Sequence, residues 1–369
     1  MALSPVEVAS SETKPLESVR CIYEIQPLDD PRWAELVQSH PRASIFHTSP
    51  WLQALHRTYG YEPIAYTTSP PGARLEDGMV FCRIASWITG RRLVSLPFSD
   101  HCEPLVKEPG QEHVFLARLE ETLQREHLRY IEIRTAQPFD APTALFRSSY
   151  AYALHRIDLE PDLATLFHRL HKSSTQRKIQ RALKEGLEYQ EGQSDTLLSA
   201  FWDLLVLTRR RHQLPPQPAS WFRNLIDCFG EDLKIRVAFH VKRPVAAILT
   251  LRHRETLVFK YGCSDARFNH LGGTHLLLWR CILEAKGAGL RAFDLGRSDL
   301  DNPGLITFKD RWGSARSTVT YWRFAASSFT GKLALAGRNC LLPASGYFFR
   351  RMSDRMLCLA GRALYKHIG

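Results

Sequence analysis

Hydrophobic positions along the chain recur with two periods, near 2 and near 3.6, in an order of segments that occurs twice. Cys21 to Pro27 alternates as a strand. Asp30–His40 and Pro50–Tyr59 read as short helices that turn Trp33, Leu36, Trp51 and Leu55 inward, with Pro50 suited to a first helical position. Glu62–Thr68, Met79–Trp87 and Arg92–Leu96 read as strands, parted by the turn-rich SPPGARLEDG and ITG segments. A helix over Glu112–Glu126 and strands over Tyr130–Arg134 and Ala151–Leu159 close a first unit near residue 158.

The second half repeats the order. Leu163–Gly186 reads as one helix stopped by glycine, Leu197–His212 as another stopped by PPQP, and Trp221–Phe229 as a third. Strands are predicted over Lys234–His240, Val245–Arg252, Thr256–Tyr261, Arg291–Leu295 and Thr318–Arg323, with an all-round apolar helix over Thr274–Ala285. Helices set beside a mostly antiparallel sheet, twice over, predict an α+β fold. Its parts are a disordered leader (1–20), two related units (21–158 and 159–325) and a basic amphipathic tail (326–369).

A chain of 369 residues, 44% hydrophobic and 24% charged, is long enough for two such cores. The N-terminus has no basic region followed by an apolar run, and no segment has bilayer-spanning length, so a cytoplasmic protein is expected. The eight cysteines are scattered without metal-ligand spacing, which predicts reduced thiols and no metal site. Of the net charge of +11, +6 lies beyond residue 325. No stretch interleaves aromatic residues with lysines, which argues against a nucleic-acid binder.

Candidate chemistry gathers in Lys260–Gly313. In Phe293-Asp294-Leu295-Gly296-Arg297-Ser298 an aspartate interrupts an apolar strand and needs a partner, Arg297 or a later lysine; it either anchors the next loop or faces substrate. Lys309 falls in a loop after Asn302-Pro303-Gly304, pinned by Phe308 and Trp312, where its ammonium would stabilise developing negative charge. Lys260 and Tyr261 end a strand and point an ammonium and a phenol toward the same cleft, although buried tyrosines are more often core. Gly272-Gly273-Thr274, between strand and helix, is either an anion-binding turn for a donor or a tight turn with a threonine cap. In the first half, Asp100 or His101 in LPFSDHCEPL is a candidate general base. Ser99 and Cys102 lie too near them in sequence for a triad. Arg177 leads a basic helix face that is either solvated or bound to an anionic substrate.

The segments KYGCSD, LLLW, FDLGRS and GLITFKDRWG resemble the second domain of FemAB-related proteins. WLQALHRTYGYEP, LPFSDHCEPL, HKSSTQRKIQRALKEGL and LTRRRHQLPPQP resemble the subgroup associated with PEP-CTERM exopolysaccharide systems, and the likeness runs from about Ile45 to Arg323. It implies tandem GNAT-like (acyl-CoA N-acyltransferase) domains. It also implies transfer of an acyl or aminoacyl group, without a covalent enzyme intermediate, to an amine of an envelope or exopolysaccharide precursor. Lys309 matches the family's lysine in F-K-x-x-x-G. No tightly bound cofactor is implied, and the donor is acyl-CoA or aminoacyl-tRNA. The tRNA-associated coiled-coil arm has no counterpart, and the CoA loop R/Q-x-x-G-x-G/A survives only as Asn269–Thr274, so both donors stay open. An inert scaffold that binds a precursor is the competing reading. In the tail, Phe349, Met352, Met356, Leu359 and Ala363 form an apolar stripe among Arg350, Arg351, Arg355, Arg362 and Lys366. Such a helix lies peripherally on the inner face of a membrane or docks on the body.

Overall fold

The computed structural model describes residues 21–325, apart from 109, 138 and 140–145, together with 349 and 352–368. The leader and residues 326–348 of the tail lie outside these. The first half runs β1 (Tyr23–Ile25), α1 (Pro31–Ser39), α2 (Ser49–Tyr59), β2 (Glu62–Thr67), β3 (Met79–Ser86), β4 (Gly90–Val94), α3 (Leu116–Arg125), β5 (Tyr130–Thr135) and β6 (Phe146–Asp158). Two helices, α4 (Leu163–Arg169) and α5 (Arg177–Lys184), lead into the second half. That half runs β7 (Glu188–Gly192), α6 (Asp195–Arg211), α7 (Ala219–Phe229), β8 (Leu233–His240), β9 (Arg243–His253), β10 (Thr256–Ser264), α8 (Gly273–Gly287), β11 (Ala292–Asp299), α9 (Pro303–Asp310) and β12 (Ala315–Ala325). A last helix, α10, spans Asp354–Ile368.

All twelve strands form one sheet in the order β1-β2-β3-β4-β5-β12-β6-β11-β10-β9-β8-β7. Adding six to each strand of the first half gives the second half, and the order then reads the same from either edge. Each half is an antiparallel meander that ends in one parallel pair, β4 with β5 and β10 with β11. The sixth strands are exchanged: β12 lies against β5, β6 lies against β11, and β6 and β12 pair with each other at the centre. The expected α+β architecture of two similar units is therefore present, with each unit's sheet completed by the other's final strand.

Both faces of the sheet are covered, which is why its strands read as near-continuous apolar runs. Side chains alternate faces: Ala247, Leu249 and Leu251 of β9 join one core, while Ala246 and Ile248 join another. The first core is shared, because α1 and α2 of one half pack beside α6 and α7 of the other, with the fully buried rings of Trp51 and Trp221 edge to face at 5.4 Å. On the other face each half has its own helix: α8 with α4 and α5 in the second, α3 in the first.

Three expectations differ from what is observed. The single helix over Leu163–Gly186 is two, because the extended backbone at Leu170 and His171 breaks it. Tertiary contact explains the break: the Arg311 carbonyl accepts from His171 N (2.9 Å) and Thr175 Oγ1 (3.1 Å), docking the segment after α9 into the gap. Lys309 lies not in a loop but in α9, capped by the Asn302 side chain with Pro303 at the first position. The edge strand β7 was not predicted, since its polar sequence EYQEG carries almost no apolar signal.

The swapped strand is locked by charge. Glu132 of β5, 2% exposed, accepts from Arg323 of β12 at 2.7 Å and from Arg134 at 2.8 Å. Burial works against the carboxylate, but the two guanidinium groups outweigh it and bring its pKa to about 2. Its folded value lies below its unfolded one, so its stabilisation is complete above about pH 4.5 and is lost as pH falls toward 2. Glu132→Gln is expected to cost on the order of 3 kcal/mol in urea unfolding at neutral pH, because it removes the buried charge that faces Arg134 and Arg323. The gap to wild type should narrow as acid protonates Glu132; a constant gap across that range would show that the charge is not the cause.

Candidate active site

The parallel pair β10–β11 is hydrogen-bonded in register only over Thr256–Val258 and Ala292–Asp294. Beyond that, β10 bulges between Phe259 and Tyr261, and the register of β11 on β6 shifts between Asp294 and Arg297. Such irregularities part neighbouring strands and re-aim side chains. In the resulting splay lies a carboxylate from the other half. Asp100 Oδ2 is 3.1 Å from Lys260 Nζ, and Oδ1 is 3.7 Å from Arg297 Nε. The same Oδ2 stands 3.1 Å from where a Cβ on Gly296 would be.

Asp100 reaches that position from a loop under tension. Leu96 and Phe98 have φ of 63° and 60°, in the left-handed region that bulky residues avoid. The loop is held there from both halves. Arg134 Nη1 donates to the Leu96 carbonyl (2.6 Å), Cys102 N donates to the Arg134 carbonyl (2.7 Å), and Tyr321 Oη of the swapped β12 donates to the Asp100 carbonyl (3.1 Å). His47, fully buried and kept neutral by burial with a pKa of about 3, is hydrogen-bonded to the Glu103 carbonyl at 2.9 Å. It is also 3.4 Å from Cys102 Sγ, but burial raises that thiol well above its ordinary range, so the pair is structural and not a nucleophilic dyad.

Charge inside the splay is balanced. Burial opposes the Asp100 carboxylate, yet Lys260, Arg297 and Lys309 together hold it below the ordinary aspartate value. Burial beside the rings of Phe46 (5.0 Å) and Trp51 (5.7 Å) pulls Lys260 below the ordinary lysine value, with Asp100 opposing. Lys309, 3% exposed, donates to the carbonyls of Gly296 (2.7 Å) and Arg297 (2.9 Å); burial lowers its pKa to about 8, with Asp100 the foremost charge resisting. Asp294 accepts from Gly296 N (2.7 Å), fixing the turn that Lys309 grips, and its other oxygen lies 3.8 Å from His101 Nε2. His101 Nδ1 lies 3.7 Å from Glu103 and has no hydrogen-bond partner. Burial lowers the imidazole's pKa, but the carboxylates of Asp294, Glu103 and Asp100 outweigh it and raise the value overall. Arg297 stacks over Tyr152 at 4.0 Å, and its Nη1 and the neighbouring Ser298 Oγ are buried without partners.

A second feature adjoins this cluster. Gly272, Gly273, Thr274 and His275 open α8 onto a cavity of about 210 Å³ that Lys178, Ser264 and Phe308 also line. Gly272 has φ +83°, and a Cβ there would stand 2.3 Å from the Lys178 carbonyl, so backbone packing alone requires the glycine. No threonine cap forms, since Gly272 itself is the cap residue. The amides at the start of α8 and the Lys178 ammonium make the cavity suited to an anion. The matching turn of the first half, before α3, holds an acid of its own: buried Glu112 accepts from Gly110 N at 2.8 Å.

Most candidate residues from the sequence therefore converge: Asp100, His101, Lys260, Asp294, Arg297, Ser298 and Lys309 in one cluster, and Gly272, Gly273 and Thr274 beside it. Two do not. Tyr261 is packed in the core, where its Oη accepts from Trp221 Nε1 at 2.8 Å and burial pushes its pKa up. Arg177 is exposed at the start of α5, and it is the adjacent Lys178 that lines the cavity. The missed signal was the buried face of α5, Ile179 and Ala182 following Thr175, which Lys178 borders and Arg177 does not.

Residues 169–309 match the family described as acetyltransferase (GNAT) domain. Among solved structures the chain is similar to FemX, with 14% identity, 83% of this chain and 98% of that one covered, and a TM-score of 0.65. It is similar to the C-terminal domain of a protein assigned as a lysylphosphatidylglycerol synthetase from Agrobacterium fabrum, with 13% identity, 86% and 97% covered, and a TM-score of 0.52. A tandem GNAT protein from the clavulanic acid biosynthesis pathway follows at 12% identity, 82% and 97% covered, and a TM-score of 0.50. No curated protein matches. Residues 169–309 thus match a GNAT domain, and the chain as a whole shares its fold with FemX and with the tandem GNAT protein.

Asp100→Asn removes the main charge that offsets the burial of Lys309, so the Lys309 pKa is expected to fall below its present value of about 8. Amine labelling of the Lys309 peptide across neutral to alkaline pH, followed by mass spectrometry, reads this shift. Unchanged labelling would mean that the two groups are not electrostatically linked.

Proposed function

We propose that the protein is an N-acyltransferase that moves an acyl or aminoacyl group to an amino group of a cell-envelope or exopolysaccharide precursor. The observation that carries this reading is the junction of the two sites. α9 presents Phe308 to the anion-suited cavity and the next residue, Lys309, to the splayed charge cluster, so a donor anchored by phosphate at α8 can extend its acyl carbon toward Lys309. The GNAT match ends on that lysine. The envelope acceptor rests on the resemblance of the sequence motifs to FemAB-related proteins and on the similarity in fold to FemX.

In this mechanism the acceptor nitrogen attacks the donor carbonyl carbon. A C–N bond forms, the C–O bond of an aminoacyl ester or the C–S bond of a thioester breaks, and the amine's proton leaves. Lys309 with its remaining donor stabilises the tetrahedral oxyanion in a site closed to water. His101 takes the proton, Asp294 and Glu103 stabilise the imidazolium that results, and the proton then passes to the leaving oxygen or sulfur, which departs as the alcohol or thiol. Asp100, already ionised and held by three cations, is a poor proton acceptor and serves to keep two lysines in the splay. Lys178 and the α8 amides hold the donor's phosphate, a feature that acyl-CoA and aminoacyl-tRNA share.

The test is amide formation by the purified protein supplied with each donor and an amine acceptor, with product read by mass spectrometry. Lys309→Ala should lower kcat by about 10²–10³, whereas Lys178→Ala should act mainly on the donor KM. The wild-type rate should decline as pH rises through about 8, where the ammonium is lost. Lys309→Arg should move that decline to higher pH, because a guanidinium stays charged. Full activity in Lys309→Ala with the true substrates would refute the assignment.

A further inference from the structure

The last helix carries two faces. One docks on the body: Leu357 and Gly361 are buried, Tyr61 Oη donates to the Tyr365 carbonyl (2.9 Å), Arg92 Nη2 donates to the His367 carbonyl (2.8 Å), and Tyr365 Oη donates to the Pro215 carbonyl (3.2 Å). Both halves thus fix α10 in place, and the stripe that the sequence singled out is divided: Phe349 and Met352 pack with Leu357 against Val206 of the body, while its later members do not. Met356 and Leu359 of that stripe point outward, 56% and 65% exposed. The outward arc continues through Ala363, and Arg355, Arg362 and Lys366 run along its border, with no acidic residue among them. At the far end of the helix the β3–β4 turn adds Ile88 and Trp87; the Trp87 ring lies 5.6 Å from that of His367 and is 87% exposed. Among the described residues, five of the ten large hydrophobic side chains left exposed sit on α10 or this turn, which marks the corner out from an ordinary solvated surface.

We propose that α10 and the β3–β4 turn form a docking surface for an anionic lipid bilayer. An apolar arc edged by cations, with a tryptophan at its end, matches the acyl–headgroup boundary, where apolar side chains enter and basic ones meet lipid phosphates. Charge argues against a second copy of the chain on this face, since a two-fold contact would set the Arg355, Arg362 and Lys366 rows against each other. No helix among the described residues is long and apolar enough to cross a membrane, so this contact is peripheral. Docked this way, the acyl-transfer site would work beside a membrane surface.

Vesicle flotation of the full-length protein tests this, with phosphatidylcholine alone and phosphatidylcholine mixed with phosphatidylglycerol. The expected result is flotation with the anionic vesicles, lost at high salt and weak with phosphatidylcholine. Partition should fall by about fivefold for each of Arg355→Glu and Arg362→Glu or more, and Leu359→Glu and Trp87→Ala should weaken it without changing the thermal unfolding midpoint. Equal flotation with both vesicle types, or unchanged flotation of Leu359→Glu, overturns the proposal. So does a concentration-dependent doubling of mass in light scattering that Leu359→Glu abolishes, which would make the face a self-interface.

Discussion

The exchange of final strands is the constraint on which the rest of the molecule depends. Neither half completes its own sheet: β5 needs β12 and β11 needs β6, so the centre of the twelve-stranded sheet is also the boundary between the two units. A seam of this kind has to be specified as well as buried, because two antiparallel strands of similar pattern invite slippage in register. The Glu132, Arg134 and Arg323 triad meets that need. Buried ion pairs add little net stability over apolar packing, but a misplaced partner leaves an uncompensated charge, and the penalty falls on the wrong registers. The same strand carries Tyr321, whose hydroxyl holds the loop that bears Asp100. Strand exchange and site geometry therefore rest on the same strand.

That coupling accounts for the charges in the splay. Two buried lysines and an arginine of the second half would repel one another, and the lysines would shed protons if left alone. The first half supplies the compensating carboxylate, and it does so on a loop whose left-handed residues persist only because Arg134 and Tyr321 hold them. Lys309 then sits in a narrow range. With too little compensation it would be neutral at physiological pH; with more, its pKa would return toward that of a surface lysine. The observed environment, partly desolvated and partly paired, leaves an ammonium that is charged near neutrality and poorly hydrated, the state in which a donor acts most strongly on a forming oxyanion.

The sequence made the elements legible where one interaction decides them. Strands buried on both faces and helices with a clear apolar side were located because burial alone sets their pattern. What escaped depends on contacts distant in sequence. β6 and β12 look the same whichever neighbour they take, so their exchange leaves no trace in their own residues. The break at Leu170 and His171 belongs to Arg311, some 140 residues later. α9 did leave a signal, in the Asn302 cap and Pro303, but its eight residues are too few for periodicity to emerge. At the site, motif segments identified most of the participants, yet not the ion pair between Asp100 and Lys260, which joins residues 160 positions apart. Tyr261 was ambiguous for a simpler reason: a tyrosine at a strand end has the same local sequence whether its hydroxyl meets a ligand or Trp221.

Two halves of the same topology have come to unequal roles, and the inequality can be traced to single side chains. At the turn before α8, glycines and Lys178 leave room and positive potential. At the equivalent turn before α3, the buried Glu112 carboxylate occupies the amide that an anion would need and would repel one that approached. The first half instead sends out the loop after β4, whose Asp100 and His101 reach into its partner's splay, while the corresponding segment after β10 stays in its own half to form the cavity. One half thus keeps a cavity at its helix turn while the other fills that turn and projects its loop, and the exchanged strands hold the charge cluster and the cavity in fixed register.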